Sequence, residues 1–182
     1  MSPKFKKFLQ RYRVFAGFII AAVYFVFARP DHYSLAVGIP VAVAGIALRA
    51  WACGHLRKSA ALDVSGPYAY TRNPLYLGTI LITIGFGVVS GVWWLFAIAL
   101  AFILSIYLPV MNVEAYELEK RLGEEYAEYA RNVPLLFPRL SPWKKSERKF
   151  DFQLYLKNGE HRAAYGIIAA TLILVAKAVL LG

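Results

Sequence analysis

Long runs of apolar residues constrain the fold of this sequence more than any other feature. Five such runs occupy approximately residues 14–28, 33–53, 74–89, 92–110 and 163–181. At about 1.5 Å of rise per residue, a helix the length of the second run covers the roughly 30 Å hydrocarbon core of a bilayer. The chain has 182 residues, of which 59% are hydrophobic, and is too apolar for a soluble domain of this size. The sequence therefore predicts a single all-α membrane domain, residues 1–182, with five transmembrane helices.

The basic residues predict the orientation of these helices. The chain contains 21 Lys and Arg but only 11 Asp and Glu. If the N-terminus is cytoplasmic, the cytoplasmic side receives five Lys and Arg from residues 1–13, four from 49–73 and ten from 112–162. The other side receives only Arg29 and Lys177. This split follows the positive-inside rule and explains the net charge of +10 without nucleic acid.

Residues 65–78, between the second and third runs, combine turn formers, aromatic residues and one cation. Gly66-Pro67 is typical of a turn, and Asn73-Pro74 predicts the N-cap and first residue of a helix. The free backbone N–H groups and positive dipole end of that helix suit a carboxylate or another anionic part of a ligand. The side chains predicted beside it are Tyr68, Arg72 and Tyr76.

A charged amphipathic segment, residues 112–129, follows the fourth run. Its apolar and aromatic residues recur every three to four positions, which predicts a helix leaving the membrane. We expect Pro109 to kink or end the preceding span, Gly123 to break the new helix, and Val133-Pro134 to begin an extended segment. Glu114 is its acidic residue nearest the membrane, where an unpaired carboxylate is costly, and this favours a functional role.

Together these segments resemble the isoprenylcysteine carboxyl methyltransferase family and the broader group of small membrane methyltransferases that includes phospholipid methyltransferases. The family pattern is Gly-x-Tyr, then Arg-His-Pro-x-Tyr-x-Gly, a membrane hairpin, Glu-Glu-x-x-Leu, Gly-x-x-Tyr-x-x-Tyr and Val-Pro. Between residues 53 and 138 the chain has, in the same order, Gly66-Pro67-Tyr68, Arg72 to Gly78, Glu114-Ala115 with Leu118, Gly123 with Tyr126 and Tyr129, and Val133-Pro134.

The resemblance implies an S-adenosylmethionine-dependent methyltransferase that acts at the membrane on a lipophilic acceptor, such as the carboxylate of an isoprenylcysteine-like substrate. It also implies a cytoplasmic cofactor pocket between the loop before the third span and the helix after the fourth. The predicted catalytic residues are Glu114 and Arg72. The predicted cofactor-binding residues are His55, Leu62, Tyr68, Asn73, Tyr76 and Glu114.

Three positions depart from the family pattern. Asn73 stands in place of the His, Ala115 in place of the second Glu, and Val110 in place of an Arg that meets the substrate carboxylate in the prenylcysteine enzymes. Asn forms hydrogen bonds but does not carry a proton, so we expect positioning and dry surroundings, more than acid–base chemistry, to promote methyl transfer. This favours a carboxylate or thiol acceptor over an amine.

Two alternative functions stay open. A membrane reductase of the sterol or steroid kind has a similar Arg-x-Pro-x-Tyr region, and Arg57, Lys58 and Arg72 would suit the 2′-phosphate of NADPH. A membrane scaffold or lipid-binding protein that kept the fold without the chemistry would fit the three departures.

The remaining features indicate structural or lipid-binding roles. Cys53 is the only cysteine, and the three histidines are too scattered to predict a metal site. The glycines of residues 85–91 lie in an apolar run with no preceding strand, which indicates close helix packing. A basic set is expected to contact anionic lipid headgroups. Its members are Arg139, Lys144, Lys145, Arg148 and Lys149.

Overall fold

The structure, a computed structural model, describes residues 3–57 and 62–181, and the side chains of 15–57 and 62–180. Throughout this part the regular structure is helical, which confirms the predicted all-α class. The helices are α1 Pro3–Phe27, α2 His32–Cys53, α3 Pro74–Val89, α4 Trp93–Leu122, α5 Glu124–Asn132, α6 Phe152–Lys157 and α7 Glu160–Leu181. A short 3-10 turn, Gly66–Ala69, precedes α3. Lys58 and the basic side chains of residues 1–14 lie outside the described residues.

Three of the described helices are long and apolar enough to cross a membrane. They are His32–Cys53, Trp93–Leu122 and Glu160–Leu180. Two further apolar helices, Phe15–Phe27 and Pro74–Val89, are shorter. The chain is thus an integral membrane protein, and crossing by the two shorter helices stays a prediction.

The length of α4 differs from the sequence prediction. Of the two alternatives predicted for Pro109, a kink or the end of the fourth span, the end is wrong, because the helix continues through Pro109 to Leu122. Pro109 removes one backbone hydrogen bond, and the strong helix formers that follow it, rich in Glu, Leu, Lys and Arg, favour continuation. At Gly123 the backbone turns to a φ of 58°, and α5 begins at Glu124, so the predicted break is confirmed.

Helices α2 and α3 approach each other so closely that their crossing requires glycine. A Cβ added to Gly85 would lie 2.5 Å from the backbone nitrogen of Ala42, and one added to Gly45 would lie 2.6 Å from the carbonyl oxygen of Gly78. Small residues permit this approach between membrane helices. The predicted packing role of Gly85 is confirmed, and the contact holds the start of α3 against the last turns of α2.

The polar ends of several helices meet at one side of the bundle. Arg49 near the end of α2 pairs with the buried Glu160 at the start of α7, with 2.9 Å between its Nη2 and Oε2. Asn158 Nδ2, just before α7, donates to the carbonyl oxygen of Cys53 at 3.0 Å. Residues 133–151, which form no helix, run over the same side. The candidate functional site lies among these elements.

Candidate active site

A cavity of about 620 Å³ opens at this polar side of the bundle. Its walls come from the loop after α2, the 3-10 turn, the start of α3, the second half of α4 and α5. Its charged and polar lining residues are Arg49, Arg57, Asp63, Arg72, Asn73, Glu114 and Arg121. Its aromatic lining residues are Tyr68, Tyr76, Tyr107, Tyr126 and Tyr129. The cavity therefore offers cations, acids and aromatic rings to one ligand.

Most of the predicted site residues lie together in this cavity. Those lining it are Leu62, Tyr68, Arg72, Asn73, Tyr76 and Glu114. His55 does not line it. Its Nδ1 lies 3.0 Å from the carbonyl oxygen of Trp51, and its ring packs on Gly66 in a separate depression beside the 3-10 turn. The structure thus places His55 apart from the rest of the predicted set.

Two buried polar atoms in the cavity wall, Tyr68 Oη and Arg72 Nε, have no hydrogen-bond partner among the described residues. Tyr68 is only 8% exposed, and burial raises the pKa of its phenol, which therefore stays protonated and able to donate. Arg72 Nη1 donates to Tyr126 Oη at 3.3 Å, whereas Arg72 Nε donates to none of the described residues. Because buried donors are almost always paired in native proteins, these two atoms point to an acceptor on a ligand.

Tyr76 from α3 and Glu114 from α4 meet across the cavity. Tyr76 Oη donates to Glu114 Oε1 at 2.8 Å, and the Tyr76 ring centroid lies 4.7 Å from that of Tyr107. The uninterrupted course of α4 past Pro109 brings Glu114 to this position. A carboxylate accepts several hydrogen bonds, so Glu114 has capacity left for a cationic group.

The two acids of the cavity differ in their availability. The side chain of Asp63 is 7% exposed and is already engaged, because its Oδ2 accepts from the backbone nitrogen of Arg57 at 2.7 Å and its Oδ1 lies 3.3 Å from Arg148 Nη1. Glu114 is exposed to the cavity. Glu114 is thus the acid that a ligand reaches. Within the part of the chain that the structure describes, no group of three or more His, Cys, Asp or Glu is placed to hold a metal ion.

Asn73 occupies the predicted N-cap position, with Pro74 as the first residue of α3, but its side chain makes no capping bond. Its Nδ2 instead donates to the carbonyl oxygen of Leu135 at 2.9 Å. Thr71 Oγ1 donates to the next carbonyl, that of Leu136, at 3.0 Å. The predicted N-cap position and helix start are confirmed, whereas the Asn73 side chain bonds to the returning segment and does not cap the helix. Asn73 ties the cavity wall to that segment.

Several cavity residues were missed by the sequence analysis as site candidates. Arg49 lies inside the second apolar run, and an ionisable residue in a membrane span is by default a functional candidate. The position of Arg49 within an apolar run could therefore have identified it as a site candidate. Arg121 carries no such signal, because one more cation on a charged helix is usually solvated. Tyr129 stabilises the position of Tyr68 in the cavity wall, since its buried Oη donates to the carbonyl oxygen of Tyr68 at 2.8 Å.

The fold and cavity together define a helical membrane protein with a cavity at the polar ends of its helices. Residues 33–125, which are 93 of the 182 residues, match the profile of the family described as Phospholipid methyltransferase. The chain belongs to this phospholipid methyltransferase family, part of the isoprenylcysteine carboxyl methyltransferase-like group, and the resemblance seen in the motifs is confirmed. The matched range includes Arg72, Tyr76 and Glu114.

Two curated relatives are similar over much of the chain. The cobalt-zinc-cadmium resistance protein CzcN of Cupriavidus metallidurans is 34% identical over 141 residues, covering 71% of this chain and 63% of the relative. The nickel-cobalt-cadmium resistance protein NccN of Alcaligenes xylosoxydans xylosoxydans is 37% identical over 108 residues, covering 58% and 48%. The chain thus spans between about half and just under two thirds of the length of these relatives. No solved structure matches it.

Proposed function

We propose that this protein transfers a methyl group from S-adenosylmethionine to a lipophilic acceptor in the membrane. The observation that carries the proposal is that one cavity combines the exposed Glu114 carboxylate with two buried donors, Tyr68 Oη and Arg72 Nε, that have no partner among the described residues. The cofactor carries an ammonium, a carboxylate and an adenine ring. A cavity of about 620 Å³ is in the usual size range for such a ligand.

Each part of the cofactor has a complementary group in the wall. Glu114 binds the ammonium by a charge-assisted hydrogen bond. Arg72 Nε and the first backbone N–H groups of α3 bind the carboxylate, since these N–H groups are not taken by the Asn73 side chain. Tyr68 Oη donates to a further acceptor atom, and the tyrosine rings provide stacking surfaces for adenine.

The acceptor enters from the bilayer beside α1 and α4. An apolar groove of about 570 Å³ lies between these helices and shares Tyr76 and Tyr107 with the cavity. Its other lining residues, among them Phe18 and Ile106, are apolar or glycine. A hydrophobic chain in this groove would bring its polar end to the Tyr76–Tyr107 pair, next to Glu114.

The reaction depends on position more than on proton transfer. S-adenosylmethionine supplies a methyl group already activated by a positively charged sulfur, and the acceptor must attack in line with the carbon–sulfur bond. Asn73 contributes no base, so an ionised carboxylate or thiolate, such as that of an isoprenylcysteine-like substrate, suits the site. The Arg absent at Val110 has a counterpart in Arg121, which lines the cavity and suits an anionic acceptor, whereas Arg49 is already paired with Glu160.

The cavity faces the cytoplasm in this proposal. The basic loops surround it, and the positive-inside rule places such loops on the cytoplasmic side, where the soluble cofactor is available. The N-terminus is then cytoplasmic as well.

The proposal is tested by calorimetric titration of the detergent-purified protein with S-adenosylhomocysteine and, in parallel, with NADPH. We expect S-adenosylhomocysteine to bind and NADPH not to bind. Binding of NADPH alone would replace the methyltransferase with the reductase alternative. Binding of neither ligand by demonstrably folded protein would favour a scaffold without chemistry.

The names of the two relatives motivate a second, cellular proposal. Both are named for resistance to cobalt and cadmium, one also to zinc and the other to nickel. We propose that methyl transfer by this chain contributes to tolerance of such ions. Cells lacking the chain, complemented with wild type or Glu114→Gln, would be grown in cadmium or cobalt. We expect only the wild type to restore tolerance; equal rescue by the variant would separate tolerance from methyl transfer.

A further inference from the structure

A second depression, of about 540 Å³, lies beside the Gly66–Ala69 turn and shares no lining residue with the cavity. One wall is aromatic and comes from the end of α2 and the turn, with Trp51, His55 and Tyr70. The other wall is formed by residues 142–150. Its cations are Lys144, Lys145, Arg148 and Lys149. We call this site the basic depression.

The basic depression lies at the end of a membrane helix. Trp51 is two residues before the end of α2 and is 40% exposed, which is the placement of aromatic residues at a membrane–water interface. Phe150 is 45% exposed beside it and packs on the backbone of Gly54. The aromatic wall is therefore at the depth of lipid headgroups and the first part of their acyl chains.

The basic wall is held in place by backbone hydrogen bonds at both ends. Trp143 N donates to the carbonyl oxygen of Ala69 at 2.9 Å, and Asp151 N donates to that of Gly54 at 3.0 Å. The cations between these two anchors are thus kept beside the end of α2.

The charges of this wall are only partly balanced. Lys144 lies 3.4 Å from Glu128, and Arg148 lies 3.3 Å from Asp63. Lys145 and Lys149 have no ion pair with any residue that the structure describes. None of the described residues lining the basic depression is acidic, in contrast to the cavity with its Asp63 and Glu114. Two cations that line one depression with interfacial aromatic residues, and that have no ion pair among the described residues, are suited to an anion that carries an apolar tail.

We propose that the basic depression binds the phosphate of an anionic phospholipid from the surrounding leaflet. Lys145 and Lys149 meet the phosphate, and Trp51 and Phe150 contact the start of the acyl chains. The fifth basic residue predicted to contact lipid is not part of this site, because Arg139 Nη1 donates to the carbonyl oxygen of Asn132 at 2.9 Å. The site is separate from the methyl-transfer cavity and does not depend on the proposed reaction.

The test measures lipid binding to the detergent-purified full chain by native mass spectrometry, with phosphatidylglycerol and phosphatidylcholine as probes. We expect phosphatidylglycerol to bind preferentially to the wild type. The double variant Lys145→Gln/Lys149→Gln should bind it about tenfold more weakly. The control Lys120→Gln/Arg131→Gln removes the same charge from exposed positions of α4 and α5, and should bind phosphatidylglycerol like the wild type.

Three results would overturn the proposal: equal binding of the two lipids, unchanged binding by the Lys145→Gln/Lys149→Gln variant, or an equal loss in the control. Displacement of the lipid by inorganic phosphate at the same concentration would also overturn it, because the site would then recognise free phosphate. The double variant should keep the wild-type response to S-adenosylhomocysteine, so failure of this proposal is distinguishable from failure of the proposed reaction.

Discussion

The buried residue Tyr68 has two hydrogen-bonding groups that differ in their pairing, its side-chain hydroxyl and its backbone carbonyl oxygen. Its hydroxyl has no partner among the described residues, whereas its carbonyl oxygen accepts a bond from Tyr129 Oη at 2.8 Å. Tyr68→Phe should therefore leave the thermal stability of the free protein unchanged or raise it, because an unpaired buried hydroxyl is unfavourable. The same change should weaken S-adenosylhomocysteine binding about threefold to tenfold. Thermal unfolding in detergent and calorimetric titration measure the two effects.

Tyr129→Phe is the matched control for this prediction. It removes a phenol that has a partner, so it should lower the free energy of unfolding by about 1 kcal/mol. If Tyr68→Phe instead lowers stability and leaves ligand binding intact, the hydroxyl of Tyr68 serves the fold and not the ligand.

Glu114 is the exposed acid of the cavity and, in the proposed function, binds the ammonium of the cofactor. Glu114→Gln keeps the shape of the side chain and an acceptor for Tyr76 Oη, but removes the negative charge. We expect affinity for S-adenosylhomocysteine to fall about tenfold or more, with the melting temperature close to that of wild type. The control Glu119→Gln neutralises an exposed acid of the same helix outside the cavity and should bind normally. Equal affinity of both variants would remove Glu114 from the cofactor site.

At the level of the helices, the crossing of α2 and α3 determines where the cavity begins. Gly85→Ala should destabilise the protein by about 1–3 kcal/mol, because the new Cβ would lie 2.5 Å from the backbone of α2 and the helices would have to separate. Gly166→Ala in α7 is the control, since a Cβ there meets nothing within 4 Å. Its melting temperature in detergent should equal or exceed that of wild type. Similar melting temperatures for both variants would contradict the tight crossing.

The course of α4 shows why the residue patterns predicted the presence of each helix better than the residue at which it ends. The apolar run ends near residue 110, and Pro109 there is typical of a helix end. The helix nevertheless continues to Leu122, because its later residues favour helix and pack against α5 and the loop before α3. The unfavourable helix propensity of one proline was outweighed by the favourable propensities and packing of the turns that follow it.

For the whole molecule, burial of two phenols predicts a limit to stability at alkaline pH. Burial raises the pKa of Tyr68 and of Tyr129 above their ordinary value near 10. Above about pH 10 the unfolded chain releases these protons while the folded chain keeps them, so stability is present below that pH and falls as pH rises. Unfolding measured from pH 8 to pH 11 should show this fall, and a Tyr68→Phe/Tyr129→Phe double variant should show a smaller one. Parallel pH curves would exclude the two phenols as its source.

The sequence by itself determined the class of the protein, the approximate positions of its apolar helices and six of the residues that line its cavity. These follow from local properties, namely the length of apolar runs, the turn chemistry of residues 65–74 and the order of the motif. The helix that begins at Pro74 carries Tyr76 in its first turn, and the helix that continues past residue 110 carries Glu114. These two side chains meet in a hydrogen bond.

Only the tertiary structure decided which groups pair with which. Asn73 bonds to Leu135 across 62 positions of sequence, and Arg49 pairs with Glu160 across 111. It also placed His55 in a separate depression beside the 3-10 turn and left Tyr68 Oη without a partner among the described residues. No local pattern encodes such pairings, because a buried polar group bonds to whichever partner the packed helices bring within about 3 Å.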